Sequence, residues 1–226
     1  MSARDEADAG RTLPLFPLAT VVLFPGVDCP LHVFEPRYRQ LTRDARAGAG
    51  RIGMVTVRPE HIGDMAGDPP VFPIGCMGDL IRSEDLSDGR INVVLHGTAR
   101  FRIRDEPARP PDRLYRMARV EDLHETPDDS AEVARRRGRV AAAFERLVRS
   151  VAPERAERIG PQRIAALDDP TFVFVLVQIL NLPPVERQSL LEANGVGERL
   201  GALESILGFQ LAGLGQRNGD GSDRVH

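Results

Sequence analysis

The chain has 226 residues, 42% hydrophobic and 28% charged, with a formal net charge of −3 and a pI near 6.0. That is enough to bury a core, and it gives no electrostatic reason to expect nucleic acid or an anionic membrane as the main partner. All 30 basic residues are arginine, so no P-loop lysine, Schiff-base lysine or Ser–Lys dyad exists within these residues, because a guanidinium does not titrate.

Residues 1–11 are small and polar and are expected to be disordered. Leu13 to Phe16 and Thr20 to Phe24 are short apolar runs that predict strands, with Pro25-Gly26 as the turn after them. Cys29 to Val33 predicts another strand. From Glu35-Pro36 the spacing of Tyr38, Leu41 and Ala45 is helical, and Gly48 closes that helix. Ile52 to Val57 reads as a buried strand, and a Gly/Pro loop leads to Ile74 to Ile81. Asp88-Gly89 marks a hairpin tip. Ile91 to Leu95 and Ala99 to Arg104 follow as strands, the second with Arg100, Arg102 and Arg104 alternating outward against Phe101 and Ile103. Tyr115 to Leu123 closes the β part.

Composition changes at Thr126-Pro127-Asp128-Asp129. Asp129 with Glu132 predicts a capped helix whose apolar face carries Val133, Val140, Phe144, Leu147, Val148 and Val151. Asp169-Pro170 predicts a second start, opening the run Phe172 to Leu182. That run is shorter than the roughly 20 residues a membrane-spanning helix needs. Pro183-Pro184 restarts the chain into Val185 to Ala193, ended by Asn194-Gly195 in left-handed conformation. Leu200 to Leu214 form the last helix, and 215–226 is expected to be a disordered tail. The predicted organisation is α+β, a β-rich domain over 12–124 and a helical subdomain over 128–214. The polar start (MSARDEADAG) lacks a signal-peptide core, so the cytoplasm is the expected location.

These segments, in this order, resemble the N-terminal, substrate-binding domain of Lon proteases in its free-standing bacterial form. Leu13 to Leu18 followed by Val21 to Gly26 resembles the family's entry hairpin. Pro30 to Tyr38 is similar to its strand-to-helix junction, Ile74-Gly75-Cys76 and Asp88 through Ile103 to its central hairpin, and Tyr115 to Glu121 to its closing strand. Glu186 to Glu192 and Glu198-Arg199-Leu200 are similar to runs in its helical part. The resemblance covers about residues 12–210. It implies a PUA-like, twisted and partly closed β-sheet, or pseudo-barrel, around one short helix, followed by a C-terminal helical bundle. It also implies capture of unfolded substrate. Full-length Lon adds ATPase and Ser–Lys protease modules; the chain is expected to stop before either, and the absence of lysine fits that expectation.

Other motifs carry less. Gly195-Val196-Gly197-Glu198-Arg199-Leu200-Gly201 resembles a dinucleotide loop but lacks the preceding strand, so it is expected to connect helices. Arg135-Arg136-Arg137 with Arg139 is expected to be a solvated helix face rather than a phosphate-binding patch. His32, His61, His96 and His124 are scattered, His96 being placed to meet a backbone carbonyl. Cys29 and Cys76 lack CxxC partners, so neither metal nor disulfide framework is expected. Ser222, in GDGSD, lacks the strand–helix setting of a nucleophile elbow.

The expected function is therefore a non-catalytic polypeptide-binding module without cofactors, an adaptor or chaperone-like binder of unfolded or extended chains that serves a protease or chaperone. The candidate contacts are Phe24, Val27, Phe34, Met54, Met65 and Phe72. Pro25, Glu35, Arg37 and Tyr38 form the structural signature, with Glu35 capping or charging the helix N-terminus and Arg37 reaching a carboxylate. The alternatives are an RNA-binding module on the same fold, which the acidic balance disfavours, and a small hydrolase, for which no set of convergent titratable groups stands out.

Overall fold

The computed structural model describes residues 11–152, 164 and 166–219. The expected N-terminal disorder over 1–10, the tail over 220–226 and Ser222 lie outside the described residues. Contacts divide the chain into two units. One comprises the chain up to His124 together with Asn181–Glu192; the other comprises Glu125–Leu180 and Ala193 onward. The composition break at 128 assigns everything after it to the helices, whereas the contacts place 181–192 with the strands.

The first unit contains β1 (Arg11–Leu18), β2 (Asp28–Val33), α1 (Pro36–Ala47), β3 (Arg51–Thr56), β4 (Ile74–Asp85), β5 (Ile91–Asp105), β6 (Met117–Leu123) and a short 3-10 turn over Pro59–Asp64. They form one mixed six-stranded sheet in the order β2-β5-β4-β3-β1-β6, and a further β5–β6 pairing closes five of the strands into a ring. Closure is possible because β5 is long enough to serve two partners along one edge while β4 runs along the other. Its first half pairs with β2, Val33↔Ile91 to Asp28↔His96, and its second half with β6, Arg100↔Leu123 to Asp105↔Arg119. Leu13, Leu15, Val55, Met77, Phe101, Ala118 and Val120 fill the ring as one apolar cluster. α1 packs on β1, its Tyr38 ring 4.2 Å from that of Phe16 and its hydroxyl donating to the Pro17 carbonyl at 3.1 Å.

Several expectations are corrected here. Val22, Leu23 and Phe24 are buried but form no strand, so there is no entry hairpin. β1 instead pairs parallel with β3 (Leu15↔Gly53) and antiparallel with β6 (Leu13↔Ala118). The two strands expected around Gly97 are one, because Gly97 stays in the ladder. β1 already includes Arg11, within the segment expected to be disordered. Arg100, expected to face solvent by alternation, is 2% exposed and donates to the Leu191 carbonyl at 2.9 Å.

That carbonyl belongs to α4 (Pro184–Glu192), the helix of the 181–192 segment. Gln188 on α4 is buried; its amide nitrogen donates to the Ile74 carbonyl and to Glu192, and its oxygen accepts from the Thr56 hydroxyl at 2.7 Å. α4 thus docks on the β3 and β4 ends of the ring through hydrogen bonds to buried polar groups.

The second unit holds α2 (Ser130–Val151), α3 (Asp169–Ile179) and α5 (Val196–Gly219), with α2 and α3 each packed on α5. Asp129 caps α2 as expected, accepting from the Ala131 and Glu132 amides. α3 is capped one residue earlier than expected, by Asp168, which accepts from the Thr171 amide and hydroxyl at 2.9 Å each. Asn194-Gly195 is not left-handed; among the described residues the non-glycine residue with positive φ is Asn181, at 48°, held by Arg187. α5 continues to Gly219, past the start of the expected tail at 215.

Candidate functional site

The six candidate contacts do not share a face. Phe24 and Met54 are 0% and 2% exposed and belong to the core, which removes them as contacts for a partner. Val27 lies half-buried in the turn after Phe24, and Phe72 is half-buried with the Arg58 guanidinium 5.4 Å over its ring. Phe34, between β2 and α1, is 62% exposed. Met65 is half-buried in a loop held by Arg37.

The signature residues build that loop anchor. Glu35 occupies the N-cap position of α1 without capping it through its side chain. Its carboxylate instead accepts from Arg37 Nε at 2.9 Å. The same guanidinium donates to the carbonyls of Gly67, at 2.7 Å, and of Met65, and lies 4.6 Å over the Tyr38 ring. Arg116 continues the anchor to the Pro69 carbonyl and to Glu106. Arg37 thus meets a carboxylate as expected and also pins a loop thirty residues away. Pro25 is half-buried ahead of Gly26, whose amide donates to the Gly97 carbonyl at 2.8 Å.

A surface that no single stretch of sequence singles out lies on β2, β5 and β4. Pairing sets three cross-strand rows on one outward face: His32–Asn92–Glu84, Pro30–Val94–Arg82, and Asp28–His96–Asp79. A register shift between Leu80 and Arg82 lets Ile81 bulge out, 57% exposed. Over the first two rows runs a shallow groove of about 400 Å³. His32 Nδ1 is 2.8 Å from Asn92 Oδ1, and His96 Nδ1 is 2.7 Å from Asp28 Oδ1, so His96 meets a carboxylate rather than the expected carbonyl. Two signals in the sequence mark this face: the Asp88-Gly89 turn sets the β4–β5 register, and a proline inside a strand pattern marks an edge.

The remaining chemistry-bearing groups are engaged structurally. Burial pushes the Cys29 thiol up to about 11 and raises that of Cys76 as well, so neither offers a thiolate at neutral pH. Among the described residues no three His, Cys, Asp or Glu side chains converge as a metal site. The dinucleotide-like stretch opens α5, where the Asp128 carboxylate accepts from the Gly197 amide at 2.9 Å and takes the place an anion would need. In the arginine cluster, Arg135 and Arg136 hold Glu132, Arg137 holds Asp169, and Arg139 holds Glu204. No helix among the described residues is long and apolar enough to cross a membrane.

A ring of five strands with an appended edge strand and a separate helical unit is the architecture of a Lon-type substrate-binding domain, and the comparisons agree. Residues 12–208 match the family described as the ATP-dependent protease La (LON) substrate-binding domain, and the chain belongs to it. It is 30% identical over 201 residues to a Lon protease of Flavobacterium johnsoniae, covering 86% of this chain and 23% of that protein. The crystal structure of a Lon N-terminal domain protein from Xanthomonas campestris is 25% identical, with a TM-score of 0.61 over 86% of this chain and 98% of its own. The N-terminal domain of a Mycobacterium avium complex Lon protease shares the fold, with a TM-score of 0.68 at 16% identity over 88% of this chain and 98% of its own. The chain spans about a quarter of the length of the Flavobacterium relative.

Proposed function

We propose that this chain is a non-catalytic module that binds unfolded or extended polypeptides and acts as an adaptor or chaperone-like holder for a protease or chaperone. The observation that carries this reading is the match of residues 12–208 to a substrate-binding domain family. Support comes from the sheet unit, which exposes Phe34, Ile62, Ile81, Leu114 and Val185, apolar surface of the kind a non-native chain can cover. An RNA-binding reading has less support, because the arginines of the basic cluster each hold a carboxylate and the chain is acidic overall.

The test uses the purified protein with fluorescein-labelled, reduced and carboxymethylated α-lactalbumin, followed by anisotropy, with native α-lactalbumin as control. Saturable binding of the unfolded form alone is expected. Equal response to both forms, or none at millimolar concentration, would overturn the proposal.

A further inference from the structure

The main-chain geometry of β2 separates its edge from its outward face. Val27 accepts from the Gly97 amide at 2.9 Å, and the pairing that follows alternates from there. The backbone groups of Asp28, Pro30 and His32 therefore point away from β5, along the open edge. An incoming strand would meet a proline at the middle of these three residues, where no N–H exists to give. The edge is blunted against strand addition.

The face beside it has the opposite character. On this part of the sheet the exposed charges are paired: Asp79 with Arg51, Asp85 with Arg46, and Asp88 with Arg90. Arg82 and Glu84 lie between these pairs on β4 and line the groove, yet neither forms an ion pair among the described residues. The groove floor between them and β2 is Val94 and Asn92, with Pro30 and His32 as the far wall. It therefore offers a small apolar seat beside one free positive and one free negative charge.

We propose that this groove, across the face of β2, β5 and β4, holds one extended segment of unfolded polypeptide. An apolar side chain rests on Val94 and Pro30, while charged side chains of either sign meet Arg82 or Glu84. This rests on the polypeptide-binding reading and deepens it by naming the site and the chemistry it accepts. A strand with a phosphate on every unit fits poorly, because Glu84 lines the groove and the Asp28 and Asp79 carboxylates flank it. Tolerance of both signs around one small apolar contact suits capture of many sequences, since no single charge is demanded.

The experiment measures binding of the labelled, carboxymethylated α-lactalbumin by four proteins whose folding is first verified by circular dichroism: wild type, Val94→Glu, Glu84→Arg and Pro30→Val. Val94→Glu is expected to weaken binding about tenfold, the typical loss for a central apolar contact. Glu84→Arg makes the groove wholly basic. It is expected to tighten binding of this acidic probe about threefold or more at low salt and to steepen its salt dependence. Both Glu84 and Arg82 are exposed, so this gain is readable even if Val94→Glu fails to fold. Pro30→Val keeps the apolar wall and restores an edge donor, and it should leave affinity within about twofold, since one neutral hydrogen bond at the edge would add more than that. Wild-type binding that Val94→Glu and Glu84→Arg leave unchanged would overturn the groove while sparing the polypeptide-binding reading. Several-fold tightening by Pro30→Val would move the site to the strand edge. Competition of the probe by a labelled oligouridine, lost in Val94→Glu, would show the groove to be an RNA site and overturn the proposal. Absence of wild-type binding would remove both readings.

Discussion

A Cβ placed on Gly97 would lie 2.0 Å from the Phe24 carbonyl oxygen and 2.7 Å from its carbon. Backbone cannot yield as a flexible side chain can, so Gly97→Ala should cost about 3 kcal/mol or more, at or beyond the upper end for overpacking. Chemical denaturation checks this, and a loss under about 1 kcal/mol would mean the 22–26 segment moves freely. Tyr38 and Tyr115 are the only tyrosines, and both are pushed up to about 12, chiefly by burial; at Tyr115 the Asp44 carboxylate, accepting a hydrogen bond from the hydroxyl, adds to this. Their unfolded value is near 10. The folded state therefore holds these protons more tightly. The associated stability is complete below about pH 10 and is lost as pH rises through 10 towards 12. With no tryptophan in the chain, tyrosinate absorbance at 295 nm reads this directly. Its midpoint should lie near 12 in the folded protein, and a midpoint near 10 would contradict the packing described.

The helices whose starts depend on near neighbours are legible in the sequence alone. Pro36 and the spacing of Tyr38, Leu41 and Ala45 mark α1, and Asp129 marks α2, because caps and helical periodicity are local. The strands are legible as apolar runs, but their partners are not. Nothing near Leu15 indicates that it pairs parallel with Gly53, and Val22 to Phe24 are as apolar as a strand while being buried without joining the sheet. The candidate site is mostly hidden for the same reason. The outward face of β2, β5 and β4 exists only once Pro30, Val94 and Arg82 are aligned across three strands, while Phe24 and Met54 look like sticky residues until their burial is known. At this scale Asp168 offers a clean test. Its carboxyl is held below the usual range chiefly by the Thr171 amide donating to it. Asp168→Ala should cost about 1 kcal/mol, read as faster hydrogen exchange in the first turn of α3. The contribution is present above the ordinary carboxylate pKa and fades as pH falls through the lowered one, so the variant and wild type should converge in acid.

For the whole molecule, the sheet unit depends on a segment distant in sequence. Thr56, the Ile74 carbonyl and Arg100 all bond to α4. Gln188→Ala would strand the first two, each buried group losing about 1–3 kcal/mol without a partner. A fragment ending at His124 should accordingly melt well below the intact chain, and a synthetic 181–192 peptide added in excess should recover part of the difference. Equal melting of fragment and chain would show α4 to be dispensable. The same dependence has a consequence for biosynthesis. A ribosome delivers the strands first, yet their closing helix emerges only after the residues between have been polymerised. At roughly 5–20 residues per second that interval lasts several seconds. Throughout it the nascent sheet lacks the helix that meets the Thr56 hydroxyl and the Ile74 carbonyl, and water must serve both groups until α4 arrives.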